Sequence, residues 1–350
     1  VVQEIEDKLD INPYTTSLKI YTSLDTSIQN GIDKIMNGET YTWENDVVQA
    51  GIAVIDVNTG QVVAIGAGRN RDEAADRTWN YATQNKKHPG STAKPIFDYG
   101  PGFEYSNYST YTLFNDEPWT YTNGPSVNNW DGGFKGLMTL RDALAQSRNI
   151  PALKAFQQNN KQNIKSFVTS LGITPESDFH EAHAIGGFTG ASPLEMSAAY
   201  AAFANGGYYI EPHTVIKVEY RDTGKVEEFK YTKERVMKES TAFMINNVLQ
   251  YAVENGSDGG ARVYGKTVAA KTGTSNHSAQ TIKDYHMKAD AVNDLWTCAY
   301  TPEYSFSLWY GYDELSSEYY NTNVYNGGLG YKNRLMSALV KVIPMTTTAF

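Results

Sequence analysis

Ser91-Thr92-Ala93-Lys94 sets a hydroxyl and an amine three residues apart, directly after the structure-breaking pair Pro89-Gly90. If Ser91 opens a helix, the two side chains share one face, one turn apart, and the Lys94 amine reaches the Ser91 hydroxyl. A serine hydroxyl becomes a useful nucleophile only when an adjacent base takes its proton. Lys94 can be that base if its pKa falls from ~10.4 toward neutrality, roughly 4 kcal/mol against the ammonium form. Burial and a second cation nearby are the available causes, and Lys271 is the second cation. A helix N-terminus at Ser91 would also favour developing negative charge.

Two further clusters complete a set. Ser147-Arg148-Asn149 sits between two predicted helices, so the alternating Ser147 and Asn149 side chains can enter one cleft. Ser147 can relay a proton between Lys94 and a leaving amine, and Asn149 can hold a substrate amide. Lys271-Thr272-Gly273-Thr274 lies on a predicted strand, where small Gly273 admits a close substrate backbone. The Thr272 and Thr274 hydroxyls and the Lys271 charge suit a substrate carboxylate. The backbone N–H groups of Ser91 and Thr274 are candidates for stabilising an oxyanion. Taken singly, the first cluster reads as a capped helix start, the second as turn residues and the third as an ordinary strand edge. Their order, each in a fitting local context, favours the catalytic reading.

Gly51–Val57 and Gln61–Ile65 are β-branched runs joined through Asn58-Thr59-Gly60, a hairpin signal. A helical middle follows: Thr139 caps one helix, Pro151 fits the first turn of the next, and a third runs from Pro193 to a stop at Asn205-Gly206-Gly207. A fourth spans Ser240–Val253, and Leu335, Met336, Leu339 and Val340 mark a last one. Strands are predicted at Val268–Thr274, Leu295–Tyr300 and Phe306–Tyr310. Strands at both ends around a helical centre imply one sheet assembled from both ends, a separate helical lobe, and a cleft between them. Residues 1–45 are polar and turn-rich; they are expected to be a linker or small flanking segment, with the main domain over 46–350.

Composition narrows the partners. The chain has 350 residues, 41% hydrophobic and 20% charged, enough for a sizeable core. Its net charge of −9 disfavours nucleic acid. Cys298 is the only cysteine, which excludes an internal disulfide and a Cys/Cys metal site. His180-Glu181-Ala182-His183 has its histidines three apart, where a helical zinc motif needs four, so no metal and no cofactor is expected. No apolar run reaches the ~20 residues needed to span a bilayer. The opening Val1-Val2-Gln3-Glu4-Ile5 reads like the middle of a longer chain, with any membrane anchor outside it.

The ordered trio matches the S-x-x-K, S-x-N and K-T-G set of serine penicillin-recognising enzymes. The chain resembles the transpeptidase module of class A, bifunctional penicillin-binding proteins. The likeness extends to Ile20–Asp25, Asn128-Asn129-Trp130-Asp131, Gln146–Pro151 and Gly190–Gly207. It implies an α/β (mixed α+β) fold of the penicilloyl-serine transferase and β-lactamase kind: a central antiparallel sheet covered by helices, with an all-helical lobe. It also implies a D,D-transpeptidase in which Ser91 attacks the penultimate D-Ala carbonyl of a peptidoglycan stem peptide and terminal D-Ala leaves. Acylation of Ser91 by β-lactams, and a place at the outer face of the bacterial cytoplasmic membrane, follow from the same resemblance. A glycosyltransferase module would lie outside this chain, since nothing here resembles one, and Ala93 is a small residue before Lys94. The alternatives are a D,D-carboxypeptidase, a β-lactamase or a non-catalytic β-lactam sensor. The Glu-x-x-Leu-Asn pattern of a deacylating loop is absent from 150–200.

Overall fold

A computed structural model of the protein describes residues 1–71 and 78–350. Five long strands form its centre: β1 (Gln49–Asp56), β2 (Val62–Gly66), β3 (Ala269–Asn276), β4 (Ala291–Tyr300) and β5 (Tyr304–Gly311). They pair antiparallel in the order β3-β4-β5-β1-β2, so both ends of the sequence do build one sheet. β3 lies at the edge, where alternate N–H groups face away from β4 and are free for other partners.

Strand alternation sorts side chains onto two covered faces. Ile52, Val54, Ala270, Ala299, Phe306 and Leu308 share a core with Ile28, Ile32 and Ile35 of α2 (Thr26–Met36) and with Leu335 and Leu339 of α7 (Gly328–Leu339). Ala269, Trp296, Cys298, Tyr300 and Trp309 share the other core with the helical lobe. That lobe includes α3 (Leu140–Ala145), α4 (Asn149–Gln158), α5 (Pro193–Ala204) and α6 (Glu239–Asn255). With both faces covered, the inner strands are near-continuously buried.

The helix boundaries follow their caps. The Thr139 hydroxyl accepts from Asp142 N–H, and Ser192 and Glu195 cap α5 reciprocally with Pro193 in its first turn. The Asp25 carboxylate accepts from Ser27 and Ile28 N–H at the start of α2. Residues 1–45 therefore do not form a simple linker. α2 buries Ile28, Ile32, Ile35 and Met36 in the main core, and strand Leu18–Thr22 pairs with Val215–Tyr220. α1 (Val2–Leu9) sits beside that small sheet, with Ile5 buried against Val215 and Val218. No helix among the described residues is long and apolar enough to cross a membrane.

Candidate active site

The backbone around Ser91 departs from the expected α-helix. Gly90–Ala93 form a 3₁₀ turn, Pro95–Tyr99 a π-turn, and only Gly100–Tyr105 are α-helical. Pro95 explains the break: it has no N–H to donate to the Ser91 carbonyl, so an α-type bond cannot form there. Instead Gly100 N–H reaches the Pro95 carbonyl, and Lys94 N–H bonds the Ser91 carbonyl. A four-residue turn carries little helix dipole, which weakens the expected contribution of a helix N-terminus.

Close backbone packing fixes this turn. Gly90 has a φ of +56°, and a Cβ on it would fall 2.5 Å from the Thr274 carbonyl oxygen. A Cβ on Gly273 would fall 2.2 Å from the Pro89 carbonyl oxygen. A small residue at Gly273 is thus required for the nucleophile turn to lie against β3 on its side-chain face. Behind the turn, the Tyr200 hydroxyl donates to the Thr92 carbonyl at 2.7 Å.

The three clusters converge. Ser91, Ser147, Asn149, Thr272, Gly273 and Thr274 line one cleft of about 720 Å³. Lys94 and Lys271 lie behind it, both fully buried. Lys271 Nζ donates to Ser147 Oγ at 2.9 Å and Lys94 Nζ lies 3.3 Å from the same oxygen. Lys94 Nζ also donates to the Ser147 carbonyl and to Asn149 Oδ1, each at 2.8 Å. Among the described residues Ser91 Oγ makes no hydrogen bond to Lys94; the two residues share one turn, and the amine currently points to Ser147. Asn149 Oδ1 serves Lys94 and its Nδ2 donates to the Asn128 carbonyl at 2.8 Å, which leaves one N–H and one lone pair of the amide for substrate.

Burial pushes the Lys94 amine well below the ordinary lysine range, and the Lys271 charge pushes it further. These are the two causes the base role requires. Burial lowers Lys271 as well, opposed chiefly by Asp258. Asp98, on the turn after Lys94, is fully buried with neither carboxyl oxygen hydrogen-bonded among the described residues. Burial raises its pKa well above the carboxylate range.

Several residues that shape the site escape sequence reasoning. Ser147 sits in the left-handed region with φ 54°, and Arg148 helps hold it there. The fully buried guanidinium donates to Asp116 Oδ2 at 2.9 Å, Asp131 Oδ2 at 2.8 Å and the Gly133 carbonyl at 2.6 Å. Asn129 Oδ1 accepts from Asn149 N–H at 2.8 Å, while its Nδ2 donates to Asp116 Oδ1 at 2.7 Å. The run Asn128-Asn129-Trp130-Asp131 therefore braces the second cluster from below. Trp130 lies exposed at the cleft, whereas Trp296 and Trp309 are core. His183 is buried among Phe97, Phe179 and Phe188, with Nε2 3.0 Å from Glu176.

The family description "Penicillin binding protein transpeptidase domain" matches residues 50–339. The chain is 43% identical over 318 residues to penicillin-binding protein 1A/1B of Bacillus subtilis (strain 168), covering 90% of this chain and 34% of that protein. It is 37% identical over 326 residues to penicillin-binding protein 1A of Streptococcus pneumoniae, covering 89% of this chain and 45% of the relative. The chain thus spans less than half the length of either relative. Among solved structures, the PonA1 protein from Mycobacterium tuberculosis in complex with penicillin V superposes with a TM-score of 0.83 at 21% identity, over 98% of this chain and 90% of that one. The D,D-transpeptidase domain of a peptidoglycan glycosyltransferase from Eggerthella lenta superposes with a TM-score of 0.74 at 18% identity, over 97% and 86%. These likenesses show that the mixed α/β fold is the penicilloyl-serine transferase fold. On the match over 50–339, the chain belongs to the penicillin-binding protein transpeptidase domain family.

Proposed function

We propose that the chain is a peptidoglycan D,D-transpeptidase working through an acyl-enzyme on Ser91, and that β-lactams acylate the same serine. The observation that carries this reading is the Ser147 hydroxyl set between two buried amines, 2.9 Å from Lys271 and 3.3 Å from Lys94. Neutral Lys94 takes the Ser91 proton as Oγ attacks the penultimate D-Ala carbonyl. The oxyanion forms beside the N–H groups of Ser91 and Thr274. As the peptide C–N bond breaks, the proton passes from Lys94 through Ser147 to the leaving D-Ala amine. An amine of a second stem peptide then attacks the ester, gives up its proton and restores the Ser91 hydroxyl. Lys271, Thr272 and Thr274 receive the terminal carboxylate of the donor.

The unit that does this is assigned to 46–350, with α2 packed onto it from the preceding stretch. A glycosyltransferase module and membrane anchor would lie outside this chain and place it at the outer face of the bacterial cytoplasmic membrane. Its macromolecular partner is then the cell wall, and the net charge of −9 argues against nucleic acid.

The test is intact-mass spectrometry with a β-lactam over time. One adduct is expected, on Ser91 and lasting many minutes; Ser91→Ala abolishes it. A folded protein that forms no adduct overturns the proposal, and rapid loss of the adduct makes the protein a β-lactamase. Donor and acceptor peptides supplied together should give D-Ala and a cross-linked product. Free acid alone would indicate a carboxypeptidase, and no D-Ala release a sensor.

A further inference from the structure

Asp258 lies in the turn between α6 and β3, fully buried. Its Oδ1 accepts from Thr272 N–H at 2.6 Å, and its Oδ2 has no hydrogen-bond partner among the described residues. The same turn is tied to the second cluster, because Ser257 N–H donates to the Ala145 carbonyl at 3.0 Å, two residues before Ser147. A buried carboxylate with an open oxygen is costly unless a cation compensates it. Two buried amines flank the edge of β3 here. Lys271 points toward the helical lobe, and Lys332 of α7 reaches the opposite face, donating to Thr297 Oγ1 at 3.1 Å. Thr297 lies across from Thr272 in the β3–β4 register, so the Asp258 carboxylate and the Lys332 amine meet the same cross-strand pair.

We propose that Asp258 is a positioning residue of the active site, the buried counter-charge that keeps Lys271 an ammonium and thereby leaves Lys94 as the neutral base. The inference rests on the roles given above to Lys94 and Lys271. The groups facing Lys271 and its neighbour Lys94 are Asp258 from the turn, Cys298 from β4, Lys332 from α7, Arg148 from the second cluster and Asp98 from the nucleophile turn. Burial raises the Asp98 carboxyl well above the usual carboxylate range and pushes the Cys298 thiol up to about 12, whereas Asp258 is the carboxyl bonded to the N–H of the residue next to Lys271. Burial also pushes Lys332 down to about 7. Arg148 has its own carboxylates, Asp116 and Asp131.

The test is the pH profile of β-lactam acylation in Asp258→Asn, which keeps an acceptor for Thr272 N–H and removes only the charge. Acylation needs Lys271 charged, so the alkaline limb reports its loss of a proton. Removing the anion lowers that proton affinity, and the limb should move to lower pH by about 1 unit, a tenfold change in affinity. A slower enzyme whose alkaline limb stays in place has lost structure rather than charge, and overturns the inference. Should Asp258→Asn not fold, the Lys271→Met background carries the test. There the same substitution removes an uncompensated anion and should raise the urea midpoint; an unchanged or lowered midpoint overturns the inference. A wild-type protein that is not acylated at any pH defeats the proposed function instead.

Discussion

Lys94 and Arg148 are both fully buried cationic side chains touching the Ser147 turn, one through hydrogen bonds to it and the other as its neighbour in sequence. Arg148 meets two carboxylates and a carbonyl, and it holds the Asp131 carboxyl below the usual range. Among the described residues Lys94 hydrogen-bonds only neutral oxygens, from Ser147 and Asn149, and burial raises the Asp98 carboxyl well above the usual carboxylate range. A guanidinium with its anions is a permanent charge and can only hold position. An amine denied an anion gives up its proton readily, and such a group can exchange protons with a substrate. The protein thus places a guanidinium paired with two carboxylates and an amine bonded to neutral oxygens against one turn.

Lys94→Ala probes the exchanging side. It should slow β-lactam acylation of Ser91 by about 10²–10⁴, the range for a general base. Stability should hold or rise, since a buried amine without a counter-charge is costly to fold. Acylation rates and urea midpoints measured on one preparation decide it. A normal rate would remove Lys94 as base, and a large loss of stability would mean that it is a structural cation like Arg148.

Arg148→Met is the converse. Asp116, fully buried, would be left without its cation, at a cost of roughly 3–5 kcal/mol. Asn129 would lose its fixed partner in Asp116, and with it the hold on Asn149 N–H. The urea midpoint should therefore fall far more than in Lys94→Ala. If the two variants lose the same stability, the contrast between the networks fails.

How much of this the sequence discloses depends on range. The main strands and helices were legible because alternation and caps act locally: Thr139, Ser192 and the Asn58-Thr59-Gly60 turn all do what their types predict. α2 carried Ile28, Ile32 and Ile35 at helical spacing inside a polar stretch, a signal present but outweighed by composition. The convergence of Ser91, Lys94, Ser147 and Lys271 was legible through their types and order. What was hidden is set by partners far along the chain. Gly273 answers to the Pro89 carbonyl, Asn149 to Lys94, and Asp258 to the K-T-G strand, and no spacing rule connects these positions. The 3₁₀ and π turns come from Pro95 directly after the motif, which has the look of an ordinary helix start.

His183 offers a finer test of what burial without a firm ion pair does. It lies among Phe97, Phe179 and Phe188, with His180 edge-on to it at 4.3 Å and Glu176 its only carboxylate contact among the described residues. Burial lowers its pKa below the usual histidine value, and Glu176 opposes this without overcoming it. The folded state then binds a proton less readily than the unfolded chain, so stability is complete above about pH 6.5 and declines as pH falls below it. His183→Phe should flatten that part of the stability–pH curve. The effect should also reach the nucleophile, because Gly186 follows His183 and packs directly on the backbone of Gly90. Urea midpoints from pH 7.5 to pH 5 give the sign. If wild-type stability rises as pH falls and His183→Phe removes the rise, Glu176 dominates, and His183 belongs with Arg148 among the paired cations.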